Sequence, residues 1–346
     1  MNNPNKPILH CIFFPDLLAW ERECFEPILQ ALSANYDLRR WEASTLRRGS
    51  LKEIRATGHV WVISHRWQHA LRFFSSVTRT RLFVSVLGPV SSHDSIAMLF
   101  VRRFRSFVPR GVTLLAHSPL SYRFLREIQH VSESQIAFLP LGIPTTRVES
   151  EKTPVQGRPF VVGTLARFTS ESNLHYFLTV AHYVTRQRPD IRFKLMGAGL
   201  LTTHLKEMIS SLELREQVSV HETRESAEVR SLDLFLFTPL QNEHFIPLLH
   251  AGAAGLPVIS LDLPGIDSLI VDGRDGFLVS VNETRPMGEL ILRLASDDYL
   301  RESIASRMAQ RLRAELSPER CLPAYEQAFF NVSPPRETSS PRQTAA

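Results

Sequence analysis

Cysteine is scarce in this chain: three residues in 346, Cys11, Cys24 and Cys321, far apart and odd in number. That pattern excludes a disulfide framework and a zinc knuckle, and it fits a reducing compartment. No apolar run approaches the roughly 20 residues that a membrane-spanning helix needs. The start is polar through Lys6, and the apolar run at residues 8–14 is too short for a leader's apolar region plus a cleavage site, so no secretory signal is expected. There is no Gly-x-Ser-x-Gly elbow, which removes the usual marker of a hydrolase nucleophile. Gly197-x-Gly199 lacks the third glycine of a dinucleotide fingerprint. Thirteen histidines are scattered along the chain without a clustered ligand set, and no internal repeat is evident.

What is present is the composition of a folded, two-domain protein: 43% hydrophobic and 22% charged residues over a length that accommodates two cores. The net charge of +5 favours acidic partners in general. Apolar runs alternate with helical patterns, the signature of an α/β fold. Strands are expected at 8–14, 60–64, 82–87 and 111–116, with helices at 21–35 and 118–129. A polar break at 145–158 marks a domain boundary. Residues 333–346 have the Pro, Ser, Thr and Gln bias of a disordered tail. Residues 98–110 interleave Phe100, Phe104 and Phe107 with Arg102, Arg103, Arg105 and Arg110. Such a segment is either a domain helix with one solvated face or a basic amphipathic helix lying on an anionic bilayer. Nothing in it matches a nucleic-acid-binding motif, and nucleic acid is not an expected partner.

The densest signal lies in residues 242–259. Asn242, Glu243 and His244 form a polar loop, and Pro247 suits the opening of a helix. Gly255 suits its left-handed stop, and Val258 and Ile259 begin a buried strand. The positive end of this helix faces the loop, which is the geometry of an anion site.

This segment resembles the signature of retaining, nucleotide-sugar-dependent glycosyltransferases of the GT-B class, family four. Residues 160–168, ending in Arg167, resemble the family's strand and phosphate-clamp arginine. Residues 189–199 resemble the strand that leads to a Gly-x-Gly loop. Residues 233–239 resemble the strand before the acidic loop. Asp272, Gly273, Asp275 and Gly276 match the turn that precedes Phe277, Leu278 and Val279. The resemblance covers residues 134–330. It implies two Rossmann-like domains facing across a cleft: residues 1–145 on the acceptor side and 158–316 on the donor side. A helix at 317–332 would cross back to the first domain. It implies transfer of a sugar from a nucleoside-diphosphate sugar, with retention, to a glycan, lipopolysaccharide or lipid-linked acceptor. Neither a metal nor a cofactor is expected. The expected location is the cytoplasm; if the basic segment is the bilayer-surface helix rather than a domain helix, contact would be at the membrane's inner face.

Carried over position by position, Arg167 neutralises the donor diphosphate, and the helix at Pro247 aims the amides of Leu248 and Leu249 at it. Gly163 and Ser172 complete the donor-binding set. His250 stands where the family has a ribose-binding Glu, and Asn242 or Glu243 where it has the first, sugar-contacting Glu. Ser172 replaces a Lys and Asn173 a Gly. In the first domain Pro15, Asp16, Leu17 and Leu18 replace a Gly-rich turn. Leu87 and Gly88 replace a His-Gly pair, which leaves Gly88 as the acceptor-side position and His93, Asp94 and His117 as nearby polar groups. These departures support a second reading, a non-catalytic GT-B module that serves as a partner or scaffold in glycan or envelope biosynthesis.

Overall fold

The structure is a computed structural model that describes residues 6–56, 58–64, 81–87, 108, 111–143, 158–223, 225–240, 245–263, 265–281 and 283–331. Two six-stranded parallel sheets organise it. The first contains β1 (Ile8–Phe13), β2 (Asp37–Glu42), β3 (His59–Ser64), β4 (Leu82–Val86), β5 (Val112–Ala116) and β6 (Ile136–Phe138), in the order β2-β1-β3-β4-β5-β6. The second contains β7 (Val161–Arg167), β8 (Arg192–Ala198), β9 (Val218–Glu222), β10 (Leu234–Phe237), β11 (Val258–Leu261) and β12 (Phe277–Val279), in the order β12-β11-β10-β7-β8-β9. The GT-B architecture expected from the sequence is the one observed.

Parallel strands covered by helices on both faces need apolar side chains on both faces. All five residues of β4 and all four of β10 and β11 are accordingly buried. Among the described residues β2 has no neighbour on its outer side, and it carries Asp37, Arg39, Arg40 and Glu42, all at least partly exposed. This strand has no apolar run, and the sequence reading passes over it.

Each sheet reverses its strand order once, between β1 and β3 in the first and between β7 and β10 in the second. In open α/β sheets ligands bind outside the carboxyl ends of the strands at such switch points. Among the segments that leave those ends are Phe14 to Leu18, followed by α1 (Ala19–Glu23), and the turn after Arg167. The helix expected at 21–35 is broken at Cys24 and Phe25, and α2 (Glu26–Ser33) begins anew there. Further helices are α3 (Arg48–Ala56), α4 (Pro119–Arg123), α5 (Leu174–Thr185), α6 (Thr202–Ser211), α7 (Ile246–Ala253), α8 (Thr284–Ser296), α9 (Asp298–Leu316) and α10 (Pro318–Phe330).

α10 is capped by Ser317, whose side chain accepts from the Arg320 amide at 3.3 Å, and has Pro318 in its first turn. It packs on the first domain. The Phe329 ring meets Phe83 edge-on at 4.8 Å and Trp61 at 5.1 Å, and Phe330 stacks on Tyr36 at 3.9 Å. Tyr325 donates to the Pro140 carbonyl at 3.2 Å. One apolar cluster runs from these rings through Phe25 and Leu29 to Phe235, Leu248 and Met308, so the two domains share core.

Candidate functional site

Arg167 is the last residue of β7, and it reaches across to the first domain. Its Nε donates to Glu21 Oε1 at 2.7 Å, and Nη2 donates to Glu21 Oε2 and, at 2.6 Å, to the Asp16 carbonyl. This is the two-pronged, charge-assisted pairing for which a guanidinium is shaped. Glu21 is only 1% exposed and also accepts from the Leu18 amide at 2.7 Å, which caps α1. Ser64, at the end of β3, donates to Asp16 Oδ2 at 2.9 Å and ties the loop to the first sheet's switch point. The two switch points thus meet through one ion pair.

Backbone packing fixes where Arg167 stands. Gly197, inside β8, and Gly199, just past its end, run close against β7 and the residue that follows it. A Cβ on Gly197 would lie 1.8 Å from the Ala166 carbonyl oxygen, and one on Gly199 would lie 2.5 Å from that of Phe168. The Phe168 amide donates to Ala198 O at 2.9 Å, and the Leu201 amide donates to Phe168 O at 3.0 Å. The Gly-x-Gly fragment therefore braces the residue that follows the arginine. Asn173, at the position of the family's glycine, adopts a left-handed conformation (φ 54°) as the cap of α5, which asparagine tolerates better than most side chains.

His250 also meets the first domain. Its Nε2 lies 2.7 Å from the Trp20 carbonyl and 3.3 Å from Cys24 Sγ. A carbonyl only accepts, so Nε2 carries the proton. The ring sits in the second turn of α7, not the first, because the helix starts one residue before Pro247. Burial lowers its pKa, opposed by the bond to Trp20 and the charge of Glu23. Ser226 donates to Glu23, a third tie from α1 to the second domain.

Several sequence-based assignments change. The Leu249 amide is spent inside α7, on the Phe245 carbonyl at 3.2 Å, so it does not face an anion. Pro247 and Leu248 are buried; Leu248 belongs to the shared core. Ser172 is buried, and its hydroxyl donates to the Arg167 carbonyl at 2.5 Å, so it does not stand in for the missing lysine charge. Gly163 lies inside β7, where a Cβ would fall 2.4 Å from Leu232 Cδ2; it makes room for packing rather than for a donor. His117 is structural: Nδ1 donates to Leu139 O at 2.7 Å, and Nε2 accepts from Ser85 at 2.8 Å. Gly88, His93, Asp94, Asn242, Glu243, the basic segment except Val108, and residues 333–346 lie outside the described residues.

Sequence reasoning did not identify Trp20, Glu21 and Glu23 as site residues. The available signal was Leu18-x-x-Glu21, a carboxylate at capping distance just after the first strand. Among the described residues, no three His, Cys, Asp or Glu side chains gather to hold a metal, and no helix is long and apolar enough to cross a membrane.

With the geometry in place, similarity to known proteins is informative. The family model described as Glycosyl transferases group 1 matches residues 146–311. The putative colanic acid biosynthesis glycosyltransferase WcaL of Salmonella typhimurium is 22% identical over 241 residues, 66% of this chain and 59% of that protein. The alpha-D-kanosaminyltransferase of Streptomyces kanamyceticus is 28% identical over 165 residues, 46% of this chain and 42% of that protein. The chain thus spans less than two thirds of the length of these relatives. Among solved structures, Anabaena Alr3699/HepE in complex with UDP and glucose superposes with a TM-score of 0.72 at 15% identity, over 93% of this chain and all of that one. The chain has the GT-B fold, and its residues 146–311 resemble the glycosyl transferases group 1 family.

Proposed function

We propose that the chain is a retaining glycosyltransferase that moves a sugar from a nucleoside-diphosphate sugar to a glycan, lipopolysaccharide or lipid-linked acceptor. The observation that carries this reading is the position of Arg167, at the carboxyl end of β7 and at the switch point of the second sheet. A diphosphate leaving group gathers charge as the bond to the sugar breaks, and a guanidinium held at that point answers the charge. The complex of HepE with UDP-glucose and the colanic acid assignment of WcaL support the donor and acceptor classes. Charge neutralisation falls to the arginine, with no metal or cofactor. Residues 100–108 would bring the protein to an anionic membrane surface on the cytoplasmic side; flotation with anionic liposomes, lost in a triple alanine variant of Arg102, Arg103 and Arg105, tests that part.

The donor reading is tested by thermal shift against uridine, guanosine, adenosine and thymidine diphosphates. A ligand at a hundred times its Kd adds roughly 2.7 kcal/mol to stability. Arg167→Lys keeps the positive charge facing Glu21 but loses the fork, and it should weaken the responding nucleotide about tenfold. Two observations favour the scaffold reading: Ser172 supplies no charge, and Arg167 is already paired with Glu21. Absence of a shift with all four nucleotides at millimolar concentration would select it.

A further inference from the structure

We propose that α1 is an internal competitor for the donor: the Glu21 carboxylate holds the guanidinium edge that a diphosphate needs, and donor binding exchanges one anion for the other. This inference rests on the assignment of Arg167 to the donor site. It draws on contacts that the family signature does not contain.

Three contacts of one five-residue helix cross to the second domain. Glu21 pairs with Arg167, the Trp20 carbonyl accepts from His250, and Glu23 accepts from Ser226. The first two fall on the residues that the family resemblance assigns to the diphosphate and the ribose. The Nε and Nη2 edge that Glu21 occupies is the edge with which arginine grips carboxylate or phosphate bidentately. Two anions cannot share it, because the second would be repelled by the first at contact distance.

The latched arrangement also carries a cost. Trp20 is 1% exposed, and its indole Nε1 has no hydrogen-bond partner among the described residues. A buried donor without an acceptor disfavours the state that holds it. The turn at Cys24 and Phe25, which separates α1 from α2, lets α1 move without carrying α2 along. Glu21 caps α1 through the Leu18 amide, so the helix keeps its cap when Arg167 lets go. Glu21 then reaches water, and the phosphate takes the vacated edge. No covalent bond is made or broken in this exchange.

The test is calorimetric titration of the full chain with uridine diphosphate and with inorganic pyrophosphate. Glu21→Gln keeps an oxygen for the Leu18 amide but removes the negative charge that faces Arg167. It should tighten both ligands by about tenfold, the change that 1.4 kcal/mol produces. Ser226→Ala loosens the latch without touching Arg167 and should act in the same direction, by a smaller factor. Adding Arg167→Lys to Glu21→Gln should cancel the gain. If wild type and Glu21→Gln, both folded by circular dichroism, bind the two ligands equally, the latch is refuted while the donor site stands. If neither protein binds either ligand, the donor assignment and the latch fall together.

Discussion

Acidification should destabilise the first domain through one buried imidazole. His117 lies beneath the first domain's aromatic cluster, 3% exposed, with Phe25 edge-on at 5.5 Å. Trp61 Nε1 donates to Ser85 Oγ at 2.9 Å, Ser85 donates to His117 Nε2, and His117 Nδ1 donates to Leu139 O. This chain of donors requires the neutral ring. Burial, opposed only in part by the Leu139 bond, lowers the pKa from 6.5 to about 4. The unfolded chain therefore takes up the proton first. The stability from a neutral His117 is complete above pH 6.5 and is lost as the pH falls towards 4. Each unit of that interval is worth about 1.4 kcal/mol, so the loss reaches about 2 kcal/mol by pH 5. Carboxylates titrate lower in the range, so the useful quantity is a difference. Urea unfolding of wild type and His117→Gln, measured at half-unit steps from pH 7.5 to 5, should show the wild type losing about 2 kcal/mol more than the variant. A difference that stays flat across this range would show that the ring is not held neutral, and the hydrogen-bond directions assigned here would be wrong.

Three other perturbations read other parts of the fold. Phe329→Ala empties the contact of α10 with Trp61 and Phe83 and should cost about 3–5 kcal/mol in denaturant unfolding; a cost under about 1 kcal/mol would mean that α10 does not anchor there. Arg311 pairs with buried Asp275 at 3.1 Å and donates to the Ser268 carbonyl at 2.7 Å, so Arg311→Ala should cost about 3–5 kcal/mol by stranding that carboxylate. Asp275→Asn, which leaves no charge behind, should be milder, and the reverse ranking would contradict this account. Asn173→Gly should leave the melting temperature equal or higher, whereas Asn173→Val should destabilise by about 1–2 kcal/mol, because φ is 54° there; equal tolerance of valine would argue against the left-handed cap.

The fold was readable wherever burial on both faces writes a continuous apolar run. Residues 82–87 and 160–168 showed their strands within a residue or so of the observed ends. It was unreadable in β2, where an edge position leaves Arg39, Arg40 and Glu42 looking like a loop. The turn motif at residues 272–279 was recognisable, but its reason was not. Asp275 accepts from the Val271 amide at 2.6 Å and pairs with Arg311, which lies 36 positions away. The site was legible residue by residue from one side only. Arg167 and His250 belong to a motif, whereas Glu21 and Trp20 touch them from 146 and 230 positions away. No local pattern states which short helix of one domain will fill the cleft of another.

The docking of α10 on the first domain orders events in time as well as in space. Trp61 and Phe83 are covered by Phe329, so the first sheet, whose last strand ends at Phe138, cannot complete its packing until Phe329 has been synthesised. At ribosomal rates that wait is roughly 10–40 s. During it, an aromatic surface on the nascent first domain stays open to chaperones and to neighbouring chains. The second domain, whose own sheet and helices are contiguous in sequence, can fold first. A truncation before Pro318 would prolong that exposure indefinitely, and would be expected to cost solubility before it costs secondary structure.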